Sequence, residues 1–200
     1  MNYKSNIHSG FSGKGCAEDD LWCMLQDGKR EALDELFRKF YTSLFNYGIK
    51  ITPNADLVKD AIQELFYKIW SKHASLSNPE SIKAYLLISL RRILLRNIDK
   101  GRNWGERNLQ YLNSIFSTNF SKQDLIIRKE LEKEKKELLV NALNELNSRQ
   151  KEALFLRYYH GLTNHEIASV MGINYQSVKN NLSRALKSLR GIIDTVPFLE

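Results

Sequence analysis

A short pattern near the C-terminus constrains the fold more than any other feature of the chain. Thr163 is followed three residues later by Glu166, the spacing at which two side chains cap the start of a helix reciprocally. Gly172 then falls where a helix ends in a left-handed turn, and Asn174 can cap the next helix. The pattern predicts two short helices joined by a tight turn, which is a helix-turn-helix.

The second of these helices is predicted to be amphipathic. Its apolar residues fall within one narrow arc, which we expect to be buried: Tyr175, Val178, Leu182, Ala185, Leu186 and Leu189. The opposite face carries no acidic residue. An amphipathic hairpin with a solvated polar face is the alternative interpretation, but the lack of acids favours a nucleic-acid contact.

A helix-turn-helix places its second helix in the major groove, where Gln and Asn can pair with adenine, and Arg or Lys with guanine or phosphate. We expect Gln176, Ser177 and Asn180 to reach base edges. Arg184 and Lys187 are expected to bind phosphates. The predicted DNA-binding residues of this helix are Gln176, Ser177, Lys179, Asn180, Arg184 and Lys187.

The charge of the chain fits a polyanionic partner. The formal net charge is +7 and the sequence pI is about 9.3. The basic residues form two separate clusters, which predicts two contacts on one long partner. The first cluster is Lys83, Arg91, Arg92, Arg96, Lys100, Arg102 and Arg107, and the second is Lys179, Arg184, Lys187 and Arg190.

Apolar residues recur at steps of three and four throughout, without strand-like alternation, so the predicted class is all-α. Counted from the N-terminus, a first helix is predicted where Leu33, Leu36, Phe37, Phe40 and Leu44 recur at these steps. A second is predicted from Ala55 to Ser71, with a core face of Leu57, Ala61, Leu65 and Ile69. A third is predicted from Ser81 to Asp99, a charged helix from Asp124, and another from Ser148 to Tyr159. The expected organisation is two small helical domains joined by a flexible linker: a disordered tail at 1–18, a first domain at 19–100, a linker at 101–122 and a second domain at 123–194.

The third predicted helix carries a stripe of Tyr85, Ser89, Arg92 and Arg96, apart from its apolar side. An aromatic ring can stack on an unpaired base while nearby arginines neutralise the backbone. The stripe therefore predicts a contact with melted DNA. A Tyr85 that packs inward as ordinary core is the other interpretation.

With both halves considered, the chain resembles the extracytoplasmic-function (ECF) sigma factors of bacteria. The stretch from Asp56 to Trp70, DLVKDAIQELFYKIW, is similar to the family's polymerase-binding helix. The resemblance implies that Asp56, Asp60, Gln63 and Glu64 bind RNA polymerase, at the coiled-coil clamp of its largest subunit.

The resemblance extends to both DNA-binding segments. The stretch from Ile82 to Arg96 is similar to the segment that reads and melts the minus-ten element, and the loop from His73 to Ser81 would help to hold a flipped base. This chain has Arg92 where the family often has Asn, and Arg96 where Asp is common. The stretch from Leu146 to Ala168 resembles the approach to the helix that recognises the minus-thirty-five element.

The partners implied are core RNA polymerase, promoter DNA and a separate anti-sigma factor. We expect no enzyme activity, cofactor or metal, because the four histidines share no ligand spacing and there is no phosphate loop or nucleophile motif. The chain has no apolar run long enough to predict membrane insertion, and its two cysteines fit a reducing compartment. A cytoplasmic protein is therefore expected. Two alternatives remain. One is a conventional helix-turn-helix regulator that binds duplex DNA alone, and the other is a nuclease that holds a metal through Asp19 and Asp20 or through the acidic stripe around Asp60.

Overall fold

The computed structural model describes residues 16–100, 116, 120 and 133–193. Within these ranges all regular elements are helical, which confirms the predicted all-α class. The helices are α1 (Cys16–Gln26), α2 (Arg30–Ile51), α3 (Ala55–Ser71), α4 (Ile82–Lys100), α5 (Lys133–Glu145), α6 (Ser148–Leu154), α7 (Asn164–Met171) and α8 (Tyr175–Ile193), with a 3₁₀ turn at His73–Ser75.

Parts of the predicted organisation fall outside the described residues. These are the tail up to residue 15, the start of the charged helix at Asp124, and the linker apart from Phe116 and Phe120. The first described helix begins at Cys16, three residues before the predicted start of the first domain. The division into two domains therefore remains a proposal, and helices α1–α4 and α5–α8 are the two groups that correspond to it.

Helices α1 to α4 form one packed group. Helix α3 lies against both α2 and α4, and its first turn is capped by Asn54, whose side chain accepts from the backbone N–H groups of Asp56 and Leu57. The predicted core face of α3 was partly wrong, because Leu57 is only half-buried whereas Val58 and Ile62 are fully buried. Two neighbouring helices bury a wider arc of α3 than the single stripe that the spacing predicts.

The crossing of α2 and α3 depends on Gly48. A Cβ at this position would lie 2.5 Å from Cγ1 of Val58 on α3, which is too close for any real contact. The missing side chain therefore allows the two helices to approach closely here.

Helices α5 to α8 form the second group, with Leu156, Ile167, Val178 and Ala185 fully buried. The helix predicted from Ser148 to Tyr159 is not uniform. It is α-helical only to Leu154 and then widens into a π-helical turn at Phe155–Tyr159, where the N–H of His160 donates to the carbonyl oxygen of Phe155. Single π turns of this kind often lie beside functional contacts.

The two groups of helices pack against one another, chiefly through α4 and α7. Between them the Tyr47 hydroxyl donates to Oε1 of Glu152 at 2.7 Å, and Nη2 of Arg91 donates to Oε2 of the same carboxylate at 3.2 Å. Arg91 was predicted as part of the first basic cluster, but it is buried here and does not belong to an exposed cluster. The nearby acid at Glu152 is what makes its burial possible.

His160 lies at the same boundary and is 3% exposed. Its Nδ1 is 3.0 Å from Oγ of Ser43, and Nζ of Lys83 donates to its backbone oxygen. The rings of Tyr47, Phe155 and Tyr159 surround the imidazole. Burial, reinforced by the positive charge of Lys83, lowers the pKa of His160 from 6.5 to about 3.

A depressed pKa at His160 predicts an acid-sensitive fold. Between the two pKa values the unfolded chain binds a proton that the folded chain does not, so stability is complete above 6.5 and decreases as the pH falls. At about pH 5.5 the expected loss from this group is about 1 to 2 kcal/mol. Urea unfolding at about pH 5.5 and about pH 7.5 should show that loss in the wild type and a smaller one in His160→Gln. The exposed His165→Gln should behave like the wild type, and equal pH dependence in all three proteins would contradict the assignment.

Candidate nucleic-acid interfaces

The turn between α7 and α8 has the geometry predicted for it. Oγ1 of Thr163 accepts from the backbone N–H of Glu166, whose Oε2 accepts from the backbone N–H of Thr163 at 2.7 Å. Gly172 is left-handed at φ +65°, and Asn174 Oδ1 accepts from the N–H of Ser177 at 2.7 Å. The helix-turn-helix is confirmed, and α8 is its second helix.

The exposed face of α8 carries most of the residues predicted to contact DNA. Gln176, Lys179, Asn180, Arg184 and Lys187 are exposed and Ser177 is half-buried. Nε2 of Gln176 donates to Oδ1 of Asn180 at 3.1 Å, so the two amide side chains lie side by side one turn apart. We call these six residues the α8 face.

Two residues of α8 were wrongly predicted to be buried. Tyr175 and Leu186 are each 40% exposed. Both lie at the edges of the apolar arc, and α5, α6 and α7 cover only its centre. The Tyr175 ring stacks on the ring of His165, with centroids 4.5 Å apart. This pair adjoins Gln176 and was missed because the helical period alone does not show where the covered arc ends.

Helix α4 presents only part of its predicted stripe. Arg92 and Arg96 are exposed, whereas Ser89 and Tyr85 are half-buried. The Tyr85 ring packs edge-on against Trp22 of α1, with centroids 5.4 Å apart, and Trp22 is itself anchored through Nε1 to the carbonyl oxygen of Ser77. Of the two interpretations of Tyr85, the structure favours the inward one.

The predicted polymerase-binding residues form a polar stripe along α3. Asp56, Asp60 and Gln63 are exposed, and Glu64 is partly exposed. Oε1 of Glu64 accepts from Nζ of Lys68 at 2.7 Å and from Nη2 of Arg96. These hydrogen bonds, that to Lys68 first, lower the pKa of Glu64 to about 2 despite partial burial. Because Arg96 belongs to the predicted DNA-binding stripe, the surfaces on α3 and α4 adjoin.

Helix α3 also exposes an aromatic residue that was not among the predicted polymerase-binding residues. Tyr67 is 72% exposed and lies three and four residues after Glu64 and Gln63, on the same side of the helix. Tyrosine is enriched among the residues that dominate protein interfaces.

No group of three or more His, Cys, Asp or Glu residues that could hold a metal occurs within residues 16–100 and 133–193. The acids predicted as a possible nuclease site, Asp19 and Asp20, lie in that range. Among the described helices, none is long and apolar enough to cross a membrane.

The left-handed conformation at Gly172 predicts a graded response to substitution. A Cβ there would meet nothing within 4 Å, so the cost of a side chain comes from the backbone alone. We expect Gly172→Ala to destabilise the chain by about 1 to 2 kcal/mol and Gly172→Asn by less, because Asn tolerates this conformation. Urea unfolding measures both, and an Asn variant no more stable than the Ala variant would contradict a purely backbone origin.

Comparison with known proteins found a family model and several related sequences that match this chain. The family model described as "Sigma-70, region 4" matches residues 136–189. RNA polymerase sigma factor SigV of Bacillus subtilis is 30% identical over 154 residues, covering 76% of this chain and 82% of SigV. RNA polymerase sigma factor YlaC of the same organism is 24% identical, covering 80% of this chain and 91% of YlaC.

Solved structures share the fold. CnrH, in complex with the cytosolic domain of CnrY, aligns with a TM-score of 0.56 at 17% identity, covering 90% of this chain and 99% of CnrH. The sigma factor RpoE of Bartonella quintana, in complex with the anti-sigma factor NepR, aligns with a TM-score of 0.53 at 21% identity, covering 82% of this chain and 98% of RpoE.

Proposed function

We propose that this chain, which belongs to the extracytoplasmic-function (ECF) group of RNA polymerase sigma factors, reads promoters through two separate DNA-binding surfaces and binds polymerase through a third. As a sigma factor it directs core RNA polymerase to promoters and initiates transcription. Sigma factors are initiation factors and not enzymes. The observation that carries the proposal is the exposed, acid-free α8 face of the helix-turn-helix.

The α8 face is proposed to recognise the minus-thirty-five element. Gln176 and Asn180 are bonded to one another in the free chain, and each can exchange that bond for a base edge in the major groove. Ser177 and Lys179 flank them, while Arg184 and Lys187 lie one to two turns further along and fit the phosphate backbone. The residues proposed to contact bases lie near the start of the helix, and those proposed to contact phosphates lie further along it. Together they would fix the register of α8 on DNA.

The surface of α4 is proposed to contact the minus-ten element. Arg92 and Arg96 are exposed one turn apart and suit the backbone of a melted strand. Tyr85 and Ser89 continue this line but are half-buried. The contact between Tyr85 and Trp22 fixes the tyrosine ring, so Tyr85 serves here to position the stripe, and any base contact uses only its exposed edge.

The stripe of Asp56, Asp60, Gln63 and Glu64 on α3 is proposed to bind core polymerase. The Glu64 carboxylate is ionised throughout the physiological range and is held in place by Lys68 and Arg96. An acidic, ordered side chain of this kind can form charge-assisted hydrogen bonds with a basic partner. Tyr67 extends the same surface with an apolar ring.

Regulation by a separate inhibitor is part of the proposal. RpoE of Bartonella quintana has been solved in complex with an anti-sigma factor, and this chain shares its fold. We propose that an anti-sigma factor also binds this chain, and that the chain acts in the cytoplasm, where polymerase and promoter DNA are found.

The division of labour on α8 can be tested by substitution. Asn180→Ala should relax promoter choice, because a lost base contact removes about 1 to 3 kcal/mol of discrimination at one position. Lys187→Ala should weaken binding evenly across promoter sequences and reduce its salt dependence. Holoenzyme binding to a set of single-base promoter variants measures both effects. Ser188→Ala on the same helix is the matched control, and equal, sequence-independent losses at Asn180 and Lys187 would contradict the assignment.

The polymerase surface can be tested by charge reversal. Glu64→Lys should lower affinity for core polymerase by at least about tenfold, because it places a cation where the partner is expected to be basic. Gln63→Lys should act in the same direction while leaving the ion pairs of Glu64 intact. Affinity is measured by titration of labelled chain with core polymerase, with circular dichroism to verify folding. Glu35→Lys on the exposed face of α2 is the control, and unchanged affinity in both α3 variants would remove the surface.

A further inference from the structure

The boundary between the two groups of helices buries three polar side chains that none of the proposed surfaces uses. Tyr47 is 0% exposed, Glu152 1% and Arg91 6%. Both carboxylate oxygens of Glu152 are engaged, one by the Tyr47 hydroxyl and the other by the Arg91 guanidinium. We call these three residues the Glu152 cluster. It joins α2 and α4 to α6.

The Glu152 cluster is suited to a contact that opens and closes. Burying an acid and a base costs much of the free energy that their attraction returns, and Nε of Arg91 has no hydrogen-bond partner within the described residues. When the helices separate, both charges recover their hydration. Removing only one partner is different, because it leaves the other buried and uncompensated while the helices remain packed.

Two phenylalanines that lie between α4 and α5 in the sequence pack against residues at this boundary. Phe116 is 2% exposed and lies 5.8 Å from the ring of Phe155 and 6.4 Å from that of Tyr47. Phe120 packs on Phe155, and its backbone N–H and carbonyl oxygen both bond to the side chain of Asn144. Nζ of Lys50 lies 5.5 Å from the centre of the Phe120 ring. Phe116 and Phe120 are thus both held at the boundary.

This packing is incompatible with reading both promoter elements at once. Helix α4 carries the proposed minus-ten residues and lies directly against α7, the first helix of the helix-turn-helix. Helices in contact have axes roughly 8 to 10 Å apart. The two elements are about 25 base pairs apart by name, which is roughly 85 Å at 3.4 Å per base pair. The helix groups must therefore separate before both faces can bind.

We propose that Tyr47, Arg91 and Glu152 form a latch that holds the two DNA-reading parts of the free chain together and that is released when the chain assembles with core polymerase on a promoter. The need for release rests on the proposed function of α4 and α8. The latch itself rests on contacts within the chain and can be tested without DNA.

The experiment measures the distance between the two groups of helices in solution. Spin labels are attached at Asp34→Cys on α2 and Arg149→Cys on α6, both exposed positions, in a chain that also carries Cys16→Ser and Cys23→Ser. Pulsed electron paramagnetic resonance then gives the distribution of distances between the two labels, in the free chain and in its complex with core polymerase and promoter DNA. We expect one short distance in the free chain and an increase of several tens of ångströms in the complex, roughly as the promoter spacing requires.

Substitutions then test whether the Glu152 cluster is responsible. Glu152→Gln should raise the ratio of open to closed free chain by roughly a hundredfold or more, because it leaves Arg91 buried without a counter-charge. The exposed Glu31→Gln is the matched control and should leave the distance unchanged. The triple variant Tyr47→Phe, Arg91→Met and Glu152→Leu removes all three polar groups together and should stay closed, since apolar residues can replace a buried polar cluster without loss of packing. It should also need more polymerase to reach half-maximal opening.

The outcomes separate the latch from the proposed function. Long distances in the free wild-type chain, or equal distances in Glu152→Gln and Glu31→Gln, would overturn the latch. If Glu152→Gln loses its helical circular dichroism signal, the wild-type distances and the triple variant decide, and an open triple variant would count against the latch. A closed free chain that never assembles with polymerase would contradict the proposed function while leaving the closed contact intact.

Discussion

The arrangement of the two groups of helices depends on the carboxylate of Glu152. It is the acid that neutralises Arg91 inside the protein, and it also accepts the hydrogen bond of the buried Tyr47 hydroxyl. Burial and the neighbouring negative charge of Glu152 raise the pKa of Tyr47 well above its usual value, so this hydroxyl remains a donor at any physiological pH. Without the carboxylate, a guanidinium and a phenol would be buried without a partner.

Local features of the sequence were enough to predict the helix-turn-helix. Thr163, Glu166, Gly172 and Asn174 act on backbone groups within a few residues of themselves. Their spacing alone therefore fixes where α7 begins and ends and where α8 begins. The exposure of Gln176 and Asn180 followed from the same period of 3.6 residues. Such predictions succeed because the interactions involved are close along the chain.

Contacts between distant residues could not be predicted in the same way. Tyr47 and Glu152 are 105 positions apart, and Arg91 and Glu152 are 61 apart, so no spacing in the sequence indicates that they meet. Arg91 was therefore grouped with the basic surface residues. Tyr85 illustrates the same limit, since only the position of Trp22 on another helix decides which way its ring faces. The same holds for Phe155, the first residue of the π-helical turn, which packs against Phe116 and Phe120 more than 30 positions before it.

Two ion pairs connect parts of the chain that have different proposed roles, and their burial decides which pair matters more. The pair of Arg96 with Glu64 links the proposed DNA and polymerase surfaces, but its side chains are 42% and 30% exposed, and such pairs contribute about 0 to 1 kcal/mol. The side chains of Arg91 and Glu152 are only 7% and 1% exposed, so water screens this pair far less. Breaking the first pair costs little, so each partner can bind its surface almost independently. The pair of Arg91 with Glu152 joins the two groups of helices. Through it, binding at one group can change whether the other group is free to bind.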